Sequence, residues 1–404
     1  MSFDLAAVRA QFPALGGDTV FFDNAGGSQV LARVAARVAD YLLASNVQLG
    51  ASYARSILSN ARVAAANATL ARLVNAADAS EIVLGPSSTQ LLFNLATAFG
   101  MALAPGDRVV VTDADHAANI GPWRRLERQG VHVDIWRIDR DTQKLEPAAL
   151  GALMTDRTRL VCFTHCTNVL GSIHDADAIT RLAHSRGAQV CIDGVAYAPH
   201  RRVDVRALDA DFYVLSLYKV FGPHIGLLYG KHAALAALPR INHDSVAEQD
   251  VPYKMQPGNF NFELAWGAAG AVDYLEELGA DGAGGADPLD HAYTRIAVHE
   301  EALMARLLEF LQLRKGVRVL GESSSERERR VATVAFVVEG RDSSEFPPHC
   351  DAQGMGIRYG DFYSPELVDA IGVRSYNGVV RVSMAHYNSH DEVDRLINVL
   401  DRIL

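Results

Sequence analysis

The chain has 404 residues, of which 49% are hydrophobic and 21% are charged, and this composition is typical of a globular protein with about two domains. Its net charge of −10 argues against a nucleic-acid or anionic-membrane partner, because either would require a basic surface. The four cysteines form no CxxC pair, the N-terminus lacks a signal-peptide pattern and no apolar run reaches membrane-spanning length, so a cytoplasmic protein is predicted.

The first part of the chain is predicted to be mainly helical. Helices are expected at 2–12, 30–44 and 52–75, and a strand is expected at 20–22. That strand leads into the sequence Asp23-Asn24-Ala25-Gly26-Gly27. The glycine pair indicates a tight turn or a close approach of the backbone to a ligand.

Strands and helices alternate from residue 81 onwards. The predicted strands lie at 82–84, 109–111, 131–135, 160–163, 189–192, 212–215 and 225–229. The predicted helices lie at 88–103, 118–129, 147–154 and 175–186. This alternation predicts an α/β fold with a largely parallel sheet, helices on both faces, and ligands at the carboxyl ends of the strands.

A smaller α+β domain is predicted in the last third of the chain. Small and turn-forming residues at 279–288 indicate a connection, and the predicted domains are a large one at 18–286 and a small one formed by 1–17 and 287–404. The polar segment 322–330 is interpreted as a solvated loop. The elements expected in this part are helices at 290–313, 364–371 and 390–402 and strands at 317–320, 331–338, 355–359 and 379–383.

Lys219 is the leading candidate for the chemistry, because it closes an apolar run that begins at Phe212 and ends in the turn Gly222-Pro223. A near-continuous apolar pattern is typical of a buried parallel strand. Burial lowers the pKa of a lysine, and the neutral amine can then form an imine with a carbonyl compound such as pyridoxal phosphate (PLP). The alternative is a lysine whose ammonium group reaches solvent at the end of a strand.

Other strand ends carry residues that suit such a cofactor. Asp193 can pair with the pyridinium nitrogen, or it can be an ordinary turn aspartate before Gly194. His116 can stack on the ring or move a proton, or it can simply cap a helix. Ser88 and Thr89 begin a predicted helix, where hydroxyls and free N–H groups suit a phosphate, although a plain N-cap has the same pattern.

Motifs for other cofactors are absent from the sequence. No G-x-G-x-x-G triplet follows a strand, and neither a P-loop nor an H-E-x-x-H segment occurs. Cys162, His165 and Cys166 are too few and too close to a strand for a tetrahedral metal site, so no metal is predicted. A doubly wound sheet without a nucleotide motif but with a buried lysine favours PLP.

Six short segments of the chain match a known family when they are taken together and in order. They are Asp23-Asn24-Ala25-Gly26, Asp115-His116, Asn168-Val169-Leu170-Gly171, Asp193-Gly194, Ser216-Leu217-Tyr218-Lys219 and Val380-Arg381-Val382-Ser383. With these segments, the chain resembles the class V aminotransferase family over nearly its whole length, and within it the cysteine desulfurase and selenocysteine lyase-like branch.

The resemblance implies an aspartate-aminotransferase-like PLP fold and a role for each matching residue. Asn168 would bond the phenolic oxygen of the cofactor, Arg381 would hold the substrate carboxylate, and a loop with Asn259 would reach the cofactor phosphate of a second subunit in a homodimer with shared active sites. The implied catalytic residues are Lys219, Asp193 and His116. The implied further contacts are Ser88, Thr89, Ser216 and Tyr218 to the cofactor and Asn24 and Tyr363 to the substrate.

Four positions depart from the pattern of the desulfurases. Ala196 replaces a glutamine or histidine, Tyr218 replaces the histidine before the lysine, and Asn259 stands where relatives often have threonine. Tyr363 lies where desulfurases place the cysteine that accepts sulfur as a persulfide.

The sequence therefore predicts a PLP-dependent enzyme that acts on a small amino acid by β-elimination or by C–S or C–Se cleavage, without the usual persulfide cysteine. An aminotransferase or epimerase on the same scaffold is one alternative. A non-catalytic PLP-binding protein is another, which the presence of both Lys219 and Arg381 disfavours. The identity of the amino acid is left open.

Overall fold

The computed structural model describes residues 4–280 and 284–404. Its strands are β1 (Val20–Phe21), β2 (Ile82–Gly85), β3 (Arg108–Thr112), β4 (His132–Trp136), β5 (Thr158–Thr164), β6 (Gln189–Asp193), β7 (Phe212–Ser216), β8 (Gly226–Gly230), β9 (Val317–Leu320), β10 (Thr333–Val338), β11 (Met355–Gly356), β12 (Arg358–Gly360) and β13 (Val379–Ser383).

The helices surround the strands on both sides. They are α1 (Leu5–Arg9), α2 (Ala32–Ala44), α3 (Ala54–Leu73), α4 (Ser88–Ala102), α5 (Gly121–Arg124), α6 (Pro147–Leu153), α7 (Ala176–Ser185), α8 (His232–Ala237), α9 (Phe262–Ala280), α10 (Pro288–Gln312), α11 (Pro347–Asp351), α12 (Pro365–Ala370) and α13 (His390–Leu400).

The large sheet has the strand order β2-β8-β7-β6-β5-β3-β4. Strand β8 runs antiparallel to both of its neighbours, and the remaining pairs from β7 to β4 are parallel. The prediction of an α/β fold with a mainly parallel sheet is therefore confirmed. The carboxyl ends of β3, β5, β6 and β7 lie at one edge, where the sequence places the candidate residues.

Both faces of the large sheet are buried except at the edge strand β4, which explains why the other strands are almost continuously apolar. Side chains alternate between the faces, so Val110 packs in one core while Val109 and Val111 pack in another. Helices α2, α3 and α9 pack together on the first face, and α4 covers the second. Two buried faces hold the strand ends in fixed positions.

A second, antiparallel sheet has the order β12-β13-β10-β9, and β1 pairs in parallel with β11 in a small separate sheet. Val20 and Phe22 pack in the third core together with the inward faces of α10 and α13. Residues 281–283 of the expected connection lie outside the described residues. The domain boundaries at 17/18 and 286/287 stay a prediction.

Four predicted elements differ from the structure. The helix expected at 118–129 is divided into two 3₁₀ turns around α5, because Pro122 lacks the N–H that a continuous helix requires. The strand expected at 355–359 is split between two sheets, as β11 and β12. The N-terminal helix expected at 2–12 covers Leu5–Arg9, with residues 2 and 3 outside the described range.

The fourth difference concerns the polar segment 322–330. Arg330 is fully buried, and its guanidinium donates to the backbone oxygens of Leu170 and Thr333. The interpretation of Arg330 as a solvated charge was therefore wrong. A guanidinium has five N–H donors, and in a buried position it can donate to the backbone of several loops at once.

Candidate functional site

Lys219 ends a 3₁₀ turn, Leu217–Lys219, that directly follows β7. Its side chain is buried, and burial, with a smaller contribution from the charge of Arg381, lowers its pKa to about 8. The backbone N–H of Gly222 donates to the oxygen of Leu217, and a Cβ at Gly222 would approach that oxygen to 2.9 Å. This tight turn directs the side chain of Lys219 toward the cavity, where its amine is poorly solvated.

Asp193 is the last residue of β6, and its carboxylate faces the same cavity as Lys219. Burial raises its pKa to about 6, while a hydrogen bond from the N–H of Val195 and the charge of Lys219 act in the opposite direction. The next residue must be glycine, because a Cβ at Gly194 would lie 2.0 Å from the ring of Tyr213. Strand β6 can therefore approach β7 closely where the acid and the lysine are needed.

His116 follows β3 and caps a 3₁₀ turn, with its Nδ1 accepting the N–H of Ala118 at 3.1 Å. Burial first, then the charges of Lys219 and Arg381, lower its pKa to about 4. The imidazole is therefore neutral at physiological pH, and the hydrogen bond assigns its proton to Nε2. The capping role considered from the sequence and a place in the cavity are both present.

Ser88 and Thr89 form the first turn of α4, which Ser87 caps. The hydroxyl of Ser216 donates to that of Ser88 at 2.8 Å. A Cβ at Gly226 would come within 2.4–2.8 Å of the Ser87 and Ser88 backbone, so a glycine lets β8 pass close to this turn. Free N–H groups and hydroxyls at a helix N-terminus form a site for an anion such as a phosphate.

Arg381 is buried on β13 and lines the larger cavity. It donates to the backbone oxygen of Asn168 at 3.0 Å and to Asp23 at 2.8 Å, and it lies 3.7 Å from the ring centre of Phe362. Its Nε has no partner among the described residues. A buried N–H without an acceptor carries a desolvation cost, which an acceptor from a bound ligand would remove.

Asn168 joins the loop after β5 to the segment that contains Tyr363. Its amide donates to the oxygen of Phe362 at 2.9 Å and accepts from the hydroxyl of Ser364 at 2.9 Å. Tyr363 is 71% exposed at the cavity mouth, 5.6 Å from the ring of His116. Phe362 and Tyr363 both have positive φ angles, so the backbone is held in an uncommon conformation here.

Most of the predicted site residues line two adjoining cavities. The larger has a volume of about 510 Å³ and the smaller of about 70 Å³. Between them they are lined by Thr89, His116, Asn168, Tyr218 and Lys219, with Ser88 and Asp193 in the smaller cavity and Arg381 and Tyr363 in the larger. A nucleophilic amine, an acid, an anion site and a guanidinium therefore meet at the carboxyl edge of the sheet.

A family model described as Aminotransferase class-V matches residues 20–396. The chain belongs to the class V aminotransferase family. The predicted cofactor is thereby confirmed: the protein is a PLP-dependent enzyme. The residues present fit that cofactor, because a desolvated lysine, a buried acid and a helix N-terminus surround one cavity.

Relatives of this family member cover almost its whole length. It is 42% identical to the aminotransferase-like protein FGM3 of Gibberella zeae over 100% of this chain and 99% of the relative. It is 33% identical to a probable cysteine desulfurase of Halobacterium salinarum, covering 98% and 96% of the two chains. The crystal structure of the cysteine desulfurase CsdA of Escherichia coli matches with a TM-score of 0.85 and 29% identity, covering 100% and 98%.

Three predicted site residues of this class V enzyme lie outside the lining of the two cavities. Asn24 is buried, and its amide donates to the oxygens of Phe21 and Ser383 and accepts from the hydroxyl of Tyr387. Ser216 reaches the site through Ser88. Asn259 lies beside a separate surface cavity and donates to Gln48 at 3.1 Å. Their roles toward substrate and cofactor stay predictions.

Two charged residues of the site have no role predicted from the sequence. Asp23 pairs with Arg381, and Arg358 lines the larger cavity beside it. A signal for both was present, since Asp23 begins one of the matching segments and Arg358 opens the loop that leads to Tyr363. Phe93, which also lines the larger cavity, had no such signal, whereas Cys166, in the smaller cavity, was considered from the sequence only as a metal ligand.

Each of the four cysteines is a buried free thiol. Cys350 lies in the third core, and burial raises the pKa of its thiol to about 12. Cys166 lines the smaller cavity, and burial raises its pKa to about 12 as well. Neither is the exposed, low-pKa thiolate that accepts sulfur readily.

The described residues contain no group of three or more His, Cys, Asp or Glu side chains placed to hold a metal ion. Within the same ranges, no helix combines the length and the apolar character that crossing a bilayer requires.

Proposed function

We propose that this class V enzyme cleaves a bond at the β-carbon of a small amino acid and releases the leaving group directly to solvent. The observation that carries the proposal is the cavity mouth, where exposed Tyr363 faces His116 and the lining of the larger cavity contains no thiol among the described residues. The names of several relatives, such as the probable cysteine desulfurase, support a C–S lyase-like reaction. A phenol is a much poorer nucleophile toward sulfur than a thiolate and does not accept sulfur as a persulfide.

Lys219 would bind the cofactor and move the Cα proton. Burial lowers the pKa of its amine to about 8, so a useful fraction is neutral near physiological pH and can act as a nucleophile or a base. Asp193 would face the ring nitrogen as a carboxylate, since a pKa of about 6 leaves it ionised at neutral pH. When bound, PLP supplies an electron-accepting ring.

Arg381 would hold the α-carboxylate of the substrate. Its unpaired Nε and its planar donor set suit a bidentate contact with a carboxylate, and Asp23 and Asn168 keep the guanidinium in place. Asn168 and neutral His116 would contact the cofactor ring from the loops after β5 and β3. Ser88, Thr89, Ser216 and Tyr218 would surround the phosphate.

The working unit would be a homodimer in the cytoplasm. A cavity of about 740 Å³ lined by Val30, Leu42, Tyr218 and Leu264 adjoins the site, and exposed apolar side chains continue along α2 and α3. A second subunit on this surface would lie next to the cofactor, where the loop with Asn259 would contribute. Four free thiols are compatible with a reducing compartment.

The test is to incubate the holoenzyme with a panel of amino acids and to measure pyruvate, sulfide, keto acid and racemisation. A lyase is expected to release its leaving group without forming a keto acid from an added amino donor. After turnover of cysteine, mass spectrometry should find no persulfide on the wild-type protein, and Cys350→Ser should keep its activity. Tyr363→Cys is the positive control, because it introduces a thiol at the mouth of the cavity, and this variant should carry a persulfide.

Two results would contradict the proposal. A stable persulfide on Cys350 together with loss of turnover in Cys350→Ser would restore a desulfurase mechanism. Racemised substrate, or a keto acid that retains the β-substituent of the substrate, as the main product would assign an epimerase or an aminotransferase instead.

A further inference from the structure

Two arginines face each other across neighbouring strands beside the site. Arg358 on β12 is the direct cross-strand partner of Arg381 on β13, and both line the larger cavity. Like charges at directly opposite positions destabilise a sheet unless an anion lies between them. Asp23 supplies one anion, with carboxylate oxygens 2.8 Å from Arg381 and 3.6 Å from Arg358.

The two guanidiniums differ in how far the protein satisfies them. Arg381 is buried, hydrogen-bonded on two nitrogens and stacked on Phe362. Arg358 has a side chain that is 57% exposed, a long contact with Asp23 and a ring centre of Phe362 at 5.8 Å. In residues 4–280 and 284–404 its guanidinium has no hydrogen bond, so its donors are available to a ligand in the cavity.

The charge balance of the larger cavity also favours a second acidic group. Its lining contains Lys219, Arg358 and Arg381, and no aspartate or glutamate among the described residues. The α-carboxylate of a substrate would occupy Arg381, while Asp23 is already paired with that same side chain at hydrogen-bond distance. Arg358 would then keep only its 3.6 Å contact with Asp23.

We propose that Arg358 binds a second acidic group on the side chain of the substrate, so that the enzyme acts on acidic amino acids. This inference rests on the proposed function, in which Arg381 holds the α-carboxylate. Opposite residues of an antiparallel pair have Cα atoms about 5 Å apart, which allows one short dicarboxylate to reach both guanidiniums. Charge-assisted hydrogen bonds to a planar guanidinium then give the selectivity.

The experiment compares the binding of L-aspartate, L-asparagine and L-alanine to the holoenzyme by titration calorimetry. Wild type should bind aspartate about 10- to 100-fold more tightly than asparagine, the range expected for a charge-assisted hydrogen bond. Arg358→Gln should abolish this preference, because the guanidinium that binds the side-chain carboxylate is removed. The affinity for alanine should stay within about twofold, because alanine has no such carboxylate. Arg318→Gln, on β9 of the same sheet, is the matched control and should change neither.

The outcomes separate this inference from the proposed function. Arg381→Ala should weaken all three ligands, and normal binding of alanine to that variant would contradict the proposed role of Arg381. No preference for aspartate in wild type would overturn the role of Arg358. An equal loss for all three ligands in Arg358→Gln would also overturn it, because Arg358 would then act only by holding Asp23 in place.

Discussion

At the scale of single residues, Lys219 and Lys254 are both buried, but their surroundings differ. Lys254 is fully buried too, but its ammonium donates to the backbone oxygens of Ala236 and Leu238, which satisfy a charged group. Lys219 has no such acceptors among the described residues and lies beside Arg381, whose charge lowers its pKa further. Burial together with a missing acceptor, rather than burial alone, makes an amine reactive.

This contrast gives a prediction with an internal control. Reduction of the holoenzyme with borohydride should fix the cofactor to the peptide that contains Lys219 and leave the Lys254 peptide unlabelled. Lys219→Ala should still bind PLP but without a covalent link. Because the pKa of Lys219 is lowered to about 8, labelling of apoenzyme by added PLP should rise as the pH is raised from about 6.5 to 9. Mass spectrometry checks both, and a label on another lysine would refute the assignment.

At the scale of elements, the close approach of β6 and β7 positions the acid and the lysine. Gly194 makes this approach possible, since a Cβ there would overlap the ring and hydroxyl of Tyr213, which in turn lies 3.0 Å from His165. Side chains in such a tightly packed sheet have little room to move. The strand spacing and the site geometry therefore depend on the same residue.

We expect Gly194→Ala to lower the free energy of unfolding by about 1–3 kcal/mol, as for other overpacked cores, and to weaken PLP binding because Asp193 is displaced. Gly151→Ala on α6 is the matched control, since its nearest contact would be Leu182 at 4.0 Å and alanine favours a helix. Chemical denaturation and cofactor titration measure the two effects. Equal stability of the two variants would show that the sheet can relax around the added methyl group.

The sequence predicted helices and strands well where burial produces a regular pattern of apolar residues. The strands of the large sheet lie within one or two residues of their predicted positions, because both faces are buried and the apolar runs are continuous. Helix α9 was not predicted, since it is buried on most sides and contains Gly267 and Gly270, which obscure an amphipathic pattern. Those glycines permit close packing, because a Cβ at Gly267 would come 2.5 Å from Val38 on α2.

Site residues on the large sheet could be predicted from the chain, whereas contacts across sheets could not. Lys219, Asp193 and His116 each follow a recognisable strand, so their meeting at one edge follows from a parallel sheet. The pairing of Arg358 with Arg381 depends on the cross-strand register of β12 and β13, which a strand of three residues does not reveal. The neutral state of His116 likewise depends on burial by distant segments.

At the scale of the whole molecule, apolar side chains on α2 and α3 are exposed, and none of the residues that the structure describes covers them. Leu43 is 85% exposed and Ile57 is 56% exposed, and neighbouring Leu42 and Val30 line the cavity that adjoins Tyr218. Contiguous exposed apolar side chains beside a site mark an interaction surface. A second copy of the chain, related by a twofold axis, would cover this surface and bring it next to the cofactor.

We therefore expect the protein to assemble as a dimer through this surface. Sedimentation should give a mass of about twice the 43.7 kDa of one chain. The double variant Leu43→Asp with Ile57→Asp should shift the protein toward the monomer and weaken retention of PLP, because two buried carboxylates would oppose association and the partner's share of the site would be lost. Leu313→Asp, equally exposed at 79% but at the end of α10, should leave both properties unchanged. A monomeric wild type that keeps PLP and full activity would contradict the shared site, and would place the whole reaction within one chain.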